Sequence, residues 1–576
     1  MPLHGIAAAP GYAIGTAKIM LSKADVIEKI ELGPLQIDEE IARFNAAVDA
    51  ARAELESIYS KLIAQKKEHE AEIFEAHLML LEDEELIDRS KELMKDERLN
   101  AEYAFFSTSE KFAGWISGLD DPYLRERAAD IRDVSRRILN KLKGVSQDTF
   151  DHVNDKIILF AEDLSPSDTA QLDPDKVIGF AAKAGGRTSH SAIIARSIGI
   201  PAIVGIGESM DGSVRDGQMV ILDGTDGYVY VDPDAAVLAR YMQLQQEHIQ
   251  NQEIFQAYLN KRSISADGVQ VEMAANIGSV KEAEQAAASG AEGIGLFRTE
   301  FLYMDQTELP SEEVQFQAYR KVSEAFGSES PIVIRTSDIG GDKDIPYMNL
   351  PKEENPFLGY RAIRICLDRP HMFKTQLRAL LRASAFGHIK VMFPMIATLG
   401  EWRQAKALLE EAKLELTEAG AAFNKNIEAG IMIEIPAAAM LADKFAKEVD
   451  FFSIGTNDLV QYTMAADRMS PKLGYLSDTL HPAILQLIAR VIEAAHANGK
   501  WVGMCGEMAE QKHALPILLG LGLDEFSMSA GAILPARAQL AKLSQRDMKQ
   551  VAQAVLELSS AEEVRAYVEE HVAGLK

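Results

Sequence analysis

The chain has 576 residues, a formal net charge of −27, 26% charged residues and 47% hydrophobic ones. That length exceeds what one core can bury and predicts about two to four domains of ordinary globular composition. The acidity argues against a nucleic-acid partner, because nothing offsets phosphate repulsion, and suits a protein partner with a basic face. Cys366 and Cys505 are the only cysteines, so neither a disulfide framework nor a cysteine metal cluster is available. The N-terminus lacks a signal pattern and no apolar run is long enough to span a bilayer. The expectation is a soluble cytoplasmic protein with no membrane partner.

Residues 1 to about 20 are small, apolar and rich in glycine (Gly5, Gly11, Gly15), as short strands are. The segment 21–146 differs. Ile37, Ile41, Phe44, Val48, Ala51, Leu55, Ile58 and Leu62 recur at three- and four-residue steps, as do Leu124, Ala128, Ile131, Val134, Ile138 and Leu142. That spacing predicts amphipathic helices in an antiparallel bundle. Across 147–233 short apolar runs punctuated by Gly and Asp-Gly predict strands again. Residues 1–20 plus 147–233 are expected to form one α/β domain with the bundle inserted into it.

That α/β block holds Gly185-Gly186-Arg187-Thr188-Ser189-His190. Glycines let the backbone approach an oxyanion, and a following helix offers unpaired N–H groups and its positive dipole end. An imidazole in such a cradle can attack a phosphoryl group and carry it as phosphohistidine. The alternative reading is a turn whose histidine only caps or packs.

Residues 234–262 are mostly polar without strong breakers, either a linker helix able to bend or an ordinary packed helix. Residues 263–576 carry eight strand candidates, near 269–275, 293–297, 331–335, 390–394, 430–434, 451–454, 501–505 and 525–527, most of them separated by helical patterns. Eight β/α units predict a (β/α)8 TIM barrel, with its active site at the C-terminal strand ends.

Those ends bear Arg298-Thr299-Glu300, Arg335-Thr336, Glu434, Asn457-Asp458 followed by Arg468, and Cys505-Gly506-Glu507. Two arginines suit a phosphate. Two carboxylates on adjacent strand ends suit a hard divalent cation such as Mg²⁺. Arg468 can pair with a carboxylate, Asn457 can donate or accept beside the metal, and Cys505 can hand a proton to carbon. The outline is a small phosphorylated carboxylic acid. Packing readings stand beside these: an Arg298–Glu300 surface ion pair, Glu434 and Asp458 as helix N-caps, and Cys505 as a small buried apolar group.

The histidine turn, Asp338-Ile339-Gly340-Gly341-Asp342-Lys343, Glu354-Asn355-Pro356-Phe357-Leu358-Gly359, Ser453-Ile454-Gly455-Thr456-Asn457-Asp458-Leu459 and Gly503-Met504-Cys505-Gly506-Glu507 resemble enzyme I of the bacterial phosphotransferase system, nearly end to end. The resemblance implies a phosphoenolpyruvate–protein phosphotransferase, a Mg²⁺-dependent homodimer that phosphorylates the carrier HPr. Under it His190 is the phosphorylated histidine, and Arg298 and Arg335 bind phosphate. Glu434 and Asp458 hold the metal. Asn457 and Arg468 make further substrate contacts, Cys505 protonates enolpyruvate, and Lys343 and Arg361 are additional basic groups. The bundle becomes the HPr-docking subdomain, with Glu68, Glu82, Asp83, Glu84 and Glu85 facing a basic partner. His190 must then visit the barrel and the carrier in turn, so a swivelling domain is expected, with hinges near the ends of 234–262. A dikinase or phosphoenolpyruvate synthase shares the barrel and histidine but needs a nucleotide domain, and no glycine-rich nucleotide loop with lysine is found. A non-catalytic scaffold of the same fold is the other alternative. It expects loss at His190, Arg298, Glu434 or Cys505, all of which are present.

Overall fold

The structure is a computed structural model that describes residues 2–20, 27–64, 68–117, 122–144, 156–162, 164, 176–186, 192, 195, 199–304, 306–341, 345–468, 470 and 472–575. The chain divides into two compact units, Met1–Asn251 and Gln252–Lys576.

In the first unit, β1 (Leu3–His4), β2 (Ile6–Ala9) and β3 (Tyr12–Met20) join β4 (Ile157–Ala161), β5 (Val177–Ala182), β6 (Ala202–Val204), β7 (Met219–Asp223) and β8 (Tyr228–Val231). They form one eight-stranded sheet in the order β1-β8-β7-β3-β4-β5-β6-β2. The centre, β3 to β6, is parallel, while β7, β8, β1 and β2 add antiparallel pairs toward the edges. A parallel centre must be covered on both faces, and β4 is accordingly buried along its whole length. Between β3 and β4 the chain makes α1 (Ile37–Ala64), α2 (Glu68–Leu80), α3 (Glu84–Glu97), α4 (Ala101–Ser117) and α5 (Pro122–Leu142). Their apolar stripes meet in a separate core containing Phe44, Leu55, Phe74, Leu86, Phe105, Val134 and Ile138. Most of the positions spaced by three and four in the sequence lie on that face, while Ala128 and Ile131 pack with Ala113 in a smaller cluster and the Leu124 side chain lies outside the description. A further helix, α6 (Ala235–Gln256), follows β8. Its first half is tied to the sheet by the Tyr241 hydroxyl donating to Asp223 at 2.8 Å and the Gln245 amide donating to the Tyr12 carbonyl at 2.9 Å.

The second unit is a closed parallel barrel. Its strands are β9 (Glu272–Ile277), β10 (Ile294–Arg298), β11 (Pro331–Arg335), β12 (His388–Phe393), β13 (Ala429–Ile433), β14 (Phe451–Ile454), β15 (Trp501–Met504) and β16 (Glu525–Met528). These coincide with the eight candidates read from apolar runs. Leu296, Val333, Met392, Met432, Phe451 and Cys505 fill the interior, as side-chain layers do in this fold. The register of β10 slips between Ile294 and Phe297 against both neighbours. The extra residue puts Leu296 in the interior cluster and Phe297 outside, edge-on to Tyr319 at 6.0 Å. It also turns Arg298 out to the open end of the barrel, where it is exposed.

Candidate active site

The C-terminal strand ends of the barrel gather a buried ionic cluster. From β11, Arg335 reaches Glu300, after β10, with Nη2 to Oε1 at 2.5 Å, and Asp338 with Nη1 to Oδ2 at 3.1 Å. Asp338 also accepts from Arg361, at 2.9 and 3.0 Å through Nη2. Arg361 Nη1 lies 3.5 Å from Asp458 Oδ1, and Arg468 Nη1 lies 3.5 Å from Asp458 Oδ2. One chain of alternating charge therefore runs from Glu300 to Arg468. Burial weakens the charge of Arg335, but Glu300, Asp338 and Glu434 outweigh it and hold the guanidinium firmly protonated. Arg361 behaves alike, with Asp338 and Asp458 as its counter-charges. A buried arginine paired this way keeps its fork aimed into the mouth without needing solvent.

Glu434 follows β13 and is fully buried. Its Oε1 accepts the Met395 N–H at 2.5 Å, and its Oε2 has no hydrogen-bond partner. Met395 donates from a left-handed backbone, φ 57°, a conformation disfavoured for a non-glycine residue. Burial, then the charges of Asp458 and Asp338, pushes the Glu434 carboxyl up to about 8 against the opposing pull of Arg335 and Arg361. Asp458 sits in the first turn of the helix Thr456–Met464, and its buried Oδ1 likewise lacks a hydrogen bond. Neither carboxylate caps a helix: the position before Pro436–Met440 is Ile435, and the one before Thr456–Met464 is Gly455. Two buried carboxylate oxygens without hydrogen bonds, Glu434 Oε2 and the Asp458 Oδ1 that lies 3.5 Å from Arg361, fit a hard divalent ion that would complete its shell with water and substrate oxygens. Among the described residues no set of three or more His, Cys, Asp or Glu side chains clusters as a full metal cage.

Cys505 follows β15, is buried, and its thiol faces the Ile454 carbonyl at 3.8 Å. Burial pushes the thiol up to about 12, with Arg335 pulling the other way, so it holds its proton at neutral pH. Asn457 and Glu507 exchange hydrogen bonds across the ends of β14 and β15, Asn457 Nδ2 donating to Oε1 at 3.2 Å and the Glu507 N–H donating to Oδ1 at 3.1 Å. Arg298 is exposed beside this cluster, its guanidinium 5.9 Å from the Phe301 ring. The Arg298–Glu300 surface pair is absent, because Glu300 turns inward to Arg335.

Arg187, Thr188, Ser189 and His190 lie outside the described residues, as does Lys343. On their flanks, Gly185 has φ 103°, and Ala192 and Ala195 are helical and buried with Leu159, Phe180 and Val204. In the bundle, Glu68 starts α2, and its side chain is outside the description. Asp83 caps α3 by accepting from the Glu85 and Leu86 N–H groups. Glu82 pairs with Arg52 at 2.8 Å. Glu84 and Glu85 are exposed in the first turn of α3.

Comparison with known proteins agrees with this geometry. Three family models match: PEP-utilising enzyme, N-terminal, over residues 4–127; PEP-utilising enzyme, mobile domain, over 153–227; and PEP-utilising enzyme, PEP-binding domain, over 252–545. The phosphoenolpyruvate-protein phosphotransferases of Bacillus sp. (strain S) and of Geobacillus stearothermophilus are each 52% identical over 98% of this chain and 97% of theirs. That of Bacillus subtilis (strain 168) is 49% identical over 99% of both chains. The chain belongs to the phosphoenolpyruvate-protein phosphotransferase family.

Three participants in this family member's cluster carried no assigned role in the sequence. Asp338 bridges Arg335 and Arg361. Glu507 holds Asn457. Tyr462 accepts from Arg361 Nη1 at 3.2 Å and donates to the Phe357 carbonyl at 2.5 Å. Tyr462 had a readable signal, since it lies one helical turn beyond Asp458 and so on the same face. Among the described residues, no helix is long and apolar enough to cross a membrane.

Proposed function

We propose that this chain moves the phosphoryl group of phosphoenolpyruvate to its own His190, and from there to a histidine of an HPr-type carrier, opening a sugar phosphotransferase sequence. One observation carries the reading: Arg335, Arg361, Glu434, Asp458 and Cys505 converge at the strand ends of a barrel in a member of this family. Arg298 and Arg335 hold the phosphate, and Arg468 and Asn457 hold the carboxylate end, with Arg361 and Lys343 adding positive charge. Glu434 and Asp458 would hold Mg²⁺, which would supply positive charge against the transferring phosphate. The guanidinium groups stabilise charge on the transferring phosphoryl group.

Neutral His190 attacks phosphorus, and the bond from phosphorus to the enol oxygen breaks. The Cys505 S–H donates its proton to the methylene carbon of the departing enolpyruvate, giving pyruvate, and the thiolate regains a proton from water. A thiol that stays protonated far above neutral pH supports that role. A side chain serving a barrel mouth and a carrier in turn needs a swivelling domain. We assign this to 1–20 plus 147–233, with 21–146 as carrier-docking bundle, 234–262 as linker and 263–576 as barrel and homodimer contact. Glu84 and Glu85, exposed beside Glu82 and Asp83, support a docking face for a basic partner, to which we also assign Glu68 at the start of α2.

The test is incubation with phosphorus-labelled phosphoenolpyruvate and Mg²⁺. Acid-labile, base-stable label is expected on the chain, absent in His190→Ala and passed on when HPr is added. Label that needs a nucleotide, or that survives His190→Ala, refutes the reading.

A further inference from the structure

Behind the charged cluster lies a buried polar network that touches no reacting group. Gln376, 1% exposed, projects from the helix Pro370–Ala383. Its Oε1 accepts the Ser337 N–H at 3.0 Å. Its Nε2 donates to the Thr299 hydroxyl at 3.1 Å and to the Tyr319 hydroxyl at 3.1 Å. Both hydroxyl protons are already committed: Thr299 donates to the Arg335 carbonyl at 2.9 Å, and Tyr319 donates to Gln315 Oε1 at 3.2 Å. Each hydroxyl must therefore accept from Gln376, and the backbone N–H of Ser337 needs an acceptor. This directionality fixes which end of the amide is nitrogen.

The positions so pinned matter. Thr299 lies between Arg298 and Glu300, and Ser337 lies between Arg335 and Asp338. One amide thus ties the loops after β10 and β11 to each other and to the outer helical layer, at the residues next to the charged side chains. Apolar packing cannot hold this point. The β10 ladder ends just before it, at Arg298 beside Arg335, and the two loop segments expose polar backbone that burial leaves unsatisfied without such a partner.

We propose that Gln376 is a positioning residue for phosphoryl transfer, setting the spacing between the Arg298 and Arg335 loops through Thr299 and Ser337. The role rests on the function proposed above. Only a primary amide of this reach both donates twice and accepts once. Glutamate keeps the bond from Ser337 and loses both donors, and methionine loses all three bonds while filling similar space.

The experiment follows the time course of His190 labelling at saturating phosphoenolpyruvate and Mg²⁺ in the full chain. The amplitude counts molecules with an intact barrel, and the rate constant reports how well the loops are placed. Gln376→Met is expected to slow the rate constant about tenfold with the amplitude unchanged, since small misplacements of binding groups act on the barrier. Thr299→Val tests the same tie from its other end with little change in volume. It should slow labelling similarly, while Thr299→Ser, which keeps the hydroxyl, stays within about twofold of the parent. A lowered amplitude with an unchanged rate constant means a merely structural role and overturns the proposal, as do rates within about twofold for both Gln376→Met and Thr299→Val. If Gln376→Met fails to fold, the Thr299 pair decides. A parent chain that takes no label at all refutes the functional reading itself, and this role with it.

Discussion

Replacing Glu525 by glutamine should make the barrel more stable, increasingly so as pH rises. Glu525 opens β16, is 2% exposed, and its Oε1 has no hydrogen-bond partner. It faces Glu272 across the β16–β9 pair that closes the barrel. Gly503 makes room for it, since a Cβ there would fall 2.6 Å from Oε1. Burial, and then the charge of Glu272, pushes the Glu525 carboxyl from its ordinary 4.5 to about 8, against the pull of Lys390. The native carboxyl therefore keeps a proton that the unfolded chain has lost. Stability falls as pH rises from about 4.5 and levels off above about 8. At about 1.4 kcal/mol per unit, roughly 3 kcal/mol has gone by pH 7. Glutamine has the same shape and no proton to lose. Urea unfolding can be followed by the fluorescence of Trp402 and Trp501, both in the barrel unit, with Trp501 stacked on Phe451 beside Lys390. The expected midpoints nearly coincide at about pH 4, where the carboxyl is protonated in both states, and separate progressively up to about pH 8, the variant being higher. Parallel curves across that range, or a variant that is weaker at pH 7, would show that Glu525 is ionised and paired in the native barrel.

Two further outcomes follow from the same geometry. Cys505 and Cys366 are both buried, with thiols pushed far up by that burial, so iodoacetamide at pH 7.5 should leave both unmodified in the folded chain and label both in urea. Rapid labelling of Cys505 in the folded protein, read by mass spectrometry, would refute its assignment as a protonated acid. Gly506→Ala places a methyl 2.6 Å from the Thr456 backbone nitrogen. It should cost about 1–3 kcal/mol and disturb the Asn457–Glu507 exchange, lowering phosphoenolpyruvate-driven labelling. An unchanged labelling rate would show that the exchange is not needed.

Much of the architecture was legible because it repeats locally. Runs such as 331–335 and 451–454 became β11 and β14, since strands buried on both faces need continuous apolar residues. The three- and four-residue steps through Phe44, Leu55 and Ile138 became the bundle core, because helical side chains of that spacing share a face. The gathering of arginines, acids and a cysteine at the strand ends was legible through residue type, since such groups after apolar runs have few other uses there. Which charge meets which was not legible. Glu300 was as available to Arg298 as to Arg335 until the folded loops brought it to Arg335 and left Arg298 exposed. Glu272 and Glu525 stand 253 positions apart (525 − 272) in the sequence and become neighbours because the last strand closes on the first. Gln376 looks like any polar residue on an amphipathic helix until Thr299, Ser337 and Tyr319 surround it. Local pattern reports what a segment must bury, whereas pairing of charges and amides depends on distances that exist only after the barrel has closed.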